Sequence, residues 1–256
     1  MGEYFNSIPL SVLAASLADM TGISHPQKAE KHLPWFVDRV RALAGGRVDR
    51  VIMYHSDAVP MYIFQKYTAL FEPIFPHVQI SIPFVSTVES VTPVAHATMY
   101  TGAQPSVHGI QTYERPQLEV DTLYDVLIRE GHKPAIVAME DSSFLHIFKG
   151  RPMDFYTVKT GTEAMEKALE LIDRDEHDFI SIHSFEYDNA AHATGPESPR
   201  SLDAVRLETG VFDRLASAVE TQWTSHKTLI GYAPDHGMHL IEGSRGQHGS
   251  TMPEDM

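Results

Sequence analysis

The chain has no cysteine among its 256 residues. Disulfides, thiolate zinc sites and a thiol nucleophile are therefore excluded together. Any metal must be held by His, Asp or Glu, a donor set that suits a hydrolytic site better than a structural finger. Basic residues are also scarce: 20 Lys and Arg stand against 34 Asp and Glu, for a formal charge of -14. A polyanionic partner needs a Lys/Arg footprint, so nucleic acid polymers and anionic membranes are disfavoured. An anionic small substrate stays compatible, because bound cations invert the local field. No long apolar run is present. Ile8 to Met20 is moderately apolar, but it contains Pro9 and Asp19, follows Glu3 and lacks a preceding positive charge. It reads as an amphipathic helix, not a signal peptide or membrane span, and a cytoplasmic location is the expectation. Internal repeats and low-complexity segments are lacking too.

What is present is ordinary for a globular protein, with 43% hydrophobic and 21% charged residues. Pro34 opens a helix-like run, Trp35 to Ala44, closed by Gly45-Gly46, so residues 1–46 read as a helical preface to a single domain spanning 1–256. Strand signals follow at 50–55, 77–82, 134–139, 178–183 and 227–233. Helix signals lie at 60–71, 93–100, 121–130, 161–174 and 201–222. In the last helix Leu202, Val205, Phe212, Leu215 and Val219 form one stripe, as expected of a helix lying on a sheet. This alternation predicts a three-layer α/β/α sandwich around a mostly parallel sheet. Residues 141–157 carry no readable pattern.

Three apolar runs end at an aspartate. Val51-Ile52-Met53-Tyr54 leads to Asp57, Phe179-Ile180-Ser181-Ile182 to Asp188, and Thr228 to Ala233 to Asp235-His236. In a parallel sheet these ends share one edge, where open α/β folds bind ligands. Asp188 and His192 are four residues apart, and His248 sits in Gly246-Gln247-His248-Gly249. Any one of these pairs is weak evidence of metal binding. Together they make a two-metal site the economical reading, with cations about 3.5–4 Å apart. Thr92-Pro93 falls at a loop-to-helix junction, with Thr92 at the N-cap and Pro93 at the first helical position. Local sequence favours Thr92 as a simple cap over Thr92 as a nucleophile.

These residues also resemble a family. Thr92-Pro93-Val94-Ala95-His96-Ala97-Thr98-Met99-Tyr100-Thr101-Gly102, the Pro105-Ser106-Val107-His108-Gly109-Ile110 turn, Asp188 to Pro196, Asp235-His236-Gly237-Met238 and Gln247-His248-Gly249 occur in order. The pattern resembles the alkaline phosphatase superfamily, in its nucleotide pyrophosphatase/phosphodiesterase and phosphonoacetate hydrolase branch, over about 50–250. The resemblance implies a metal-dependent phosphoric-ester hydrolase. Asp57, Thr92, Asp235 and His236 would hold one divalent metal, and Asp188, His192 and His248 the other. Zinc is the expected occupant, with manganese as the alternative. Thr92, counted nine back from Thr101, would attack phosphorus and form a phosphothreonine. The implied partner is a small phosphate ester or phosphonate; a homo-oligomer is left open.

Several positions depart from the family pattern. Asp-Gly is usual at the first ligand, but Asp57 precedes Ala58. Phosphodiesterase relatives often carry an Asn about twenty residues after the nucleophile; here position 113 is Tyr113, a candidate substrate-contacting residue or a packed aromatic. No Lys or Arg lies between Gln79 and Arg115, which tilts the expectation toward diesters or phosphonates over monoesters. His239 is the rival to His248 as last ligand. His108 reads as structural, His96 as packing or supporting the loop, and His55, His146 and His183 as core or surface. The chain has little room for the cap domain of a phosphomutase and lacks the Cys/Ser-x-Pro-x-Arg of a sulfatase. A phosphomutase, a phosphonate hydrolase and a degenerate metal-binding member remain as alternatives. The resemblance also implies further chain beyond His248, so the sequence reads as truncated or unusually compact.

Overall fold

The computed structural model describes residues 8–241, 243 and 245–256. The preface expected at 1–46 therefore has its first seven residues outside the described ones. Its remainder holds strand β1 (Ile8–Pro9) and helices α1 (Val12–Thr21) and α2 (Pro34–Ala44). Strand β2 (Arg50–Ser56) is followed by α3 (Met61–Lys66), a 3-10 segment at Thr68–His77 and the short strand β3 (Phe84–Val85). Then come α4 (Thr92–Thr101), α5 (Pro105–His108), α6 (Leu123–Arg129) and β4 (Pro134–Met139). Next are α7 (Ser143–Phe148), β5 (Asp154–Val158), α8 (Gly161–Arg174), β6 (Phe179–Ser184) and α9 (Glu186–Thr194). The long helix α10 (Pro199–Gln222), β7 (Thr228–Tyr232), β8 (His239–Ile241) and β9 (Arg245–Gln247) complete the described elements.

Five strands form one parallel sheet in the order β5-β4-β6-β2-β7. The central strands β2, β4 and β6 are buried almost end to end, which is why they read as near-continuous apolar runs. Alternation along β2 feeds two cores. Val51 and Met53 face a cluster with α1, α2, α4, α6 and α7, while Ile52 and Tyr54 face one with α8 and α10. The layers are helix, sheet, helix, the architecture expected from the alternation of elements. The preface is part of the first core, since Leu13, Leu17 and Val40 join it.

Two expectations fail. The strand at 77–82 is absent, and only Phe84–Val85 is extended, paired with Ile8–Pro9. The helix at 60–71 stops at Lys66 and gives way to a 3-10 segment carrying Pro73 and Pro76. Proline lacks the N–H that an α-helix needs, and it pushes the residue before it out of the helical region. The unreadable stretch 141–157 contains α7 and β5. Helix α4 is buried at every residue and ends on Gly102, whose φ of 68° and 2.7 Å clearance to Ala29 Cβ admit glycine alone.

A charge that the sequence did not announce lies between layers. Glu208 of α10 is buried, accepting a hydrogen bond from Ser184 Oγ at 2.8 Å and another from the Tyr54 hydroxyl. Burial pushes its carboxyl up to about 7. A raised carboxyl binds its proton more tightly in the folded state. Its contribution is therefore complete below the unfolded carboxylate range and is lost as pH rises through about 7. The loss amounts to roughly 3 kcal/mol. Denaturant titrations between about pH 5 and pH 8 should show stability falling by that much more in the native chain than in Glu208→Gln. Parallel pH profiles would mean that Glu208 folds ionised.

Candidate metal centre

The sheet register brings the three aspartates together. β2, β6 and β7 are neighbours, and Asp57 follows β2, Asp188 lies one turn into α9 after β6, and Asp235 follows β7. Two donor groups result. Asp57, Asp235 and His236 form a buried one, and Asp188, His192 and His248 a half-buried one. They adjoin, because the His236 and His248 ring centroids are 4.3 Å apart and those of His192 and His248 are 5.0 Å apart.

Thr92 sits in the first group. The helix cap is Val91, with φ -134° and ψ 147°, so the helix begins at Thr92, one residue earlier than expected. Its hydroxyl makes no capping bond. It lies instead 3.2 Å and 3.4 Å from the Asp57 carboxylate oxygens and 3.4 Å from His236 Nε2. Ser90, the neighbouring hydroxyl, donates to Ser250 O at 3.2 Å.

The spacings within the groups are informative. His236 Nε2 is 3.4 Å from Asp57 Oδ1 and 3.5 Å from Asp235 Oδ2, and Asp188 Oδ1 is 3.2 Å from His192 Nε2 and 3.5 Å from His248 Nε2. Asp188 Oδ1 and Asp235 Oδ2 are closed to solvent and lack a hydrogen-bond partner among the described residues. Donors bound at about 2.0–2.1 Å around a tetrahedral zinc stand about 3.3–3.4 Å from each other. The two groups have that spacing.

The imidazoles are oriented for the same task. His236 Nδ1 meets Gly237 O at 2.9 Å, His192 Nδ1 meets Gly246 O at 3.0 Å and His248 Nδ1 meets Ser90 O at 3.0 Å. In the neutral ring each Nδ1–H donates to its carbonyl, and every Nε2 keeps a lone pair for the centre. Gly246 reaches His192 because β9 runs against α9: a Cβ there would lie 2.2 Å from Met238 Sδ and 2.9 Å from Ala191 O. Electrostatics favour cations. Burial and the nearby Asp235 and Asp188 push the Asp57 carboxyl well above its usual range. Burial also opposes ionisation of Asp188, but His192 and His248 outweigh it and hold that carboxyl low.

The departure at Ala58 has a structural account. Ala58 is buried with φ 61°, a left-handed conformation that favours glycine, and its N–H donates to Asp235 Oδ1 at 3.2 Å. The backbone bend is kept and Asp57 stays in the cluster. Behind the carboxylates stand two histidines, His96, read from the sequence as packing or supporting the loop, and His183, read as core or surface. His96 Nε2 is 3.4 Å from Asp235 Oδ2, and His183 Nε2 is 3.4 Å from Asp57 Oδ2. Both are buried, and burial lowers them, His183 to about 4. The i+4 spacing of His96 from Thr92 was the available signal; for His183 only the strand register supplies one.

Other candidates lie elsewhere. His239 Nδ1 bonds Asp255 at 2.7 Å, away from the donor groups. His108 bonds Thr98 and its own turn. His55 is held by Ala233 O and the Tyr100 hydroxyl. Tyr113 is 57% exposed, with its hydroxyl 3.5 Å from Ser143 Oγ, and makes no hydrogen bond to either group among the described residues.

No protein-family model and no curated protein matches the chain. Solved structures do. An inactive threonine-to-alanine variant of murine ectonucleotide pyrophosphatase/phosphodiesterase 5, in complex with AMP, aligns with a TM-score of 0.64 at 14% identity, over 76% of this chain and 59% of that one. The human counterpart gives 0.60 at 17% identity, over 75% and 58%. Phosphonoacetate hydrolase from Sinorhizobium meliloti 1021, in complex with phosphonoformate, gives 0.54 at 14% identity, over 74% and 56%. The chain thus spans somewhat under three-fifths of the length of these structures. Likeness at such identity concerns architecture, and the fold is accordingly the alkaline phosphatase-like α/β/α sandwich shared by the phosphodiesterase and the phosphonate hydrolase.

Proposed function

We propose that the protein is a metal-dependent phosphoric-ester hydrolase of phosphodiesterase type, with Thr92 as nucleophile and two divalent cations, zinc or manganese. The observation that carries this reading is the Thr92 hydroxyl at the start of α4, which faces Asp57 and His236 beside a second donor group. The inactive variant among the fold's relatives is a threonine-to-alanine change in a phosphodiesterase binding AMP. Asp57, Thr92, Asp235 and His236 would hold one cation, and Asp188, His192 and His248 the other; the buried orphaned oxygens and Nε2 lone pairs fit such ions. When bound, the pair supplies Lewis acidity that activates the Thr92 hydroxyl and the attacking water and offsets phosphoryl charge.

The chain's own residues supply the rest. Thr92, fixed at the start of buried α4, presents Oγ for in-line attack at phosphorus, and the leaving alcohol departs with a proton. The helix N-terminus adds partial positive charge where the phosphoryl group sits. Water then cleaves the phosphothreonine from the side of Asp188, His192 and His248. Neutral His96 and His183 back Asp235 and Asp57 without adding positive charge there. No Lys or Arg pairs with the site carboxylates among the described residues, which suits a monoanionic diester better than a dianionic monoester. Tyr113, exposed at the surface, is the proposed substrate contact. Among the described residues no helix is long and apolar enough to cross a membrane. The proposed substrate is a small molecule, and the proposed location is the cytoplasm.

Metal analysis after zinc or manganese supplementation should find at least two ions per chain. Asp188→Asn should lose one of them, because an amide oxygen is a poorer ligand than a carboxylate. Unchanged metal content in that variant would remove Asp188 from the shell. Thr92→Ala should lower hydrolysis of an aryl phosphodiester by at least about 10³-fold, with circular dichroism and metal content retained. Activity near that of the native chain would move the nucleophile elsewhere, and isomerisation of a sugar phosphate without phosphate release would indicate a mutase instead.

A further inference from the structure

The molecule contains several His–carboxylate pairs outside the centre, and most are aligned hydrogen bonds. His77 with Asp213 and Glu220, His177 with Asp154, His226 with Asp175 and His239 with Asp255 all meet at 2.7–2.9 Å along the ring N–H direction. His226 with Asp49 and His132 with Asp178 are unaligned at 3.2 and 3.3 Å, but those oxygens accept backbone N–H groups instead. One further cluster leaves its oxygen without a partner. Asp19 Oδ2 is 2.7 Å from His32 Nδ1 and 3.1 Å from His25 Nε2, yet it is closed to solvent and receives no aligned hydrogen bond among the described residues. Lone pairs that approach one another without lining up converge on a point between them. The orphaned oxygens Asp188 Oδ1 and Asp235 Oδ2 of the centre have the same signature.

We propose that Asp19, His25 and His32 form a separate divalent-cation site that ties the 22–33 segment to the end of α1. The three donor atoms lie within 4.8 Å of one another. Separations of 2.7 and 3.1 Å bracket the roughly 2.9 Å between ligands at right angles around an ion at about 2.0–2.1 Å, leaving other positions to water. The two rings are somewhat over a third exposed, so water can reach the ion. Asp19 belongs to the last turn of α1, which carries no basic residue, and the negative end of the helix favours a cation there. Arg41 bonds the Asp19 carbonyl but no Lys or Arg pairs with its carboxylate among the described residues.

The segment that the ion would tie has no helix or strand of its own. It is held by scattered bonds, Ser24 N to Glu130, Gln27 N to Asp121 and Glu30 N to Gly102 O at the end of α4. His25 and His32 flank the anchors at Gln27 and Glu30. A bound ion would close the segment into a loop on α1, limiting its freedom where it packs on the helix that carries Thr92.

The site needs no hydrolytic activity for its test. Equilibrium dialysis against zinc should give one ion fewer per chain in the double variant His25→Ala/His32→Ala than in the native chain, whatever the number held at the other groups. Asp19→Asn should show the same loss, and limited proteolysis within 22–33 should be slowed by zinc in the native chain only. Diffraction at the zinc absorption edge should place an anomalous peak about 2.0–2.1 Å from the two ring nitrogens and Asp19 Oδ2. Equal zinc content in native and double-variant chains, or no peak at that point in native crystals, would overturn the proposal.

Discussion

Three carboxylates brought to one edge of a parallel sheet are the constraint on which the rest depends. β2, β6 and β7 lie side by side, so Asp57, Asp188 and Asp235 converge in a largely buried volume. Burying like charges without partners is costly, and the rise in the Asp57 carboxyl expresses that cost. Two solutions exist: protonate the carboxylates or place cations among them. Spacings near 3.2–3.5 Å without hydrogen-bond alignment are compatible with the second.

The surroundings serve that solution. Three imidazoles have their Nδ1 atoms committed to backbone carbonyls, which fixes both tautomer and aim. Two of those carbonyls, Gly246 and Ser90, come from segments far from their partners in sequence. The small β8–β9 hairpin thereby acts on both sides of the second donor group, through Gly246 beside His192 and His248 just after its last strand. Metal binding would consequently couple to the folding of this end of the chain.

Much of this was legible, and the reasons differ by element. Buried parallel strands announce themselves as continuous apolar runs, so β4 was readable to the residue and β2, β6 and β7 to within one or two. The strand-end aspartates followed from them. The helix expected at 60–71 failed because Pro73 and Pro76 follow it and forbid an α-helical ladder there. The alternating apolar residues at 77–82 have no strand pairing with them among the described residues. Thr92 was misplaced by one position because Thr-Pro satisfies a capping pattern equally well in either register. His183, and the Asp19, His25 and His32 cluster, depend on how distant segments meet, which no local spacing encodes.

Ala58 shows how the constraint outranks local preference. A left-handed turn after Asp57 would be met most cheaply by glycine, and an L side chain there costs of order 1 kcal/mol. The turn is kept nonetheless, since it directs the Ala58 N–H at Asp235 Oδ1 and so locks one carboxylate against the strand bearing the other. Asp235 Oδ2 is then the oxygen left facing His96 and His236. The strain at Ala58 and the orphaned oxygen at Asp235 are thus two ends of a single arrangement. An ion between the carboxylates would relieve the second and make the first worth keeping.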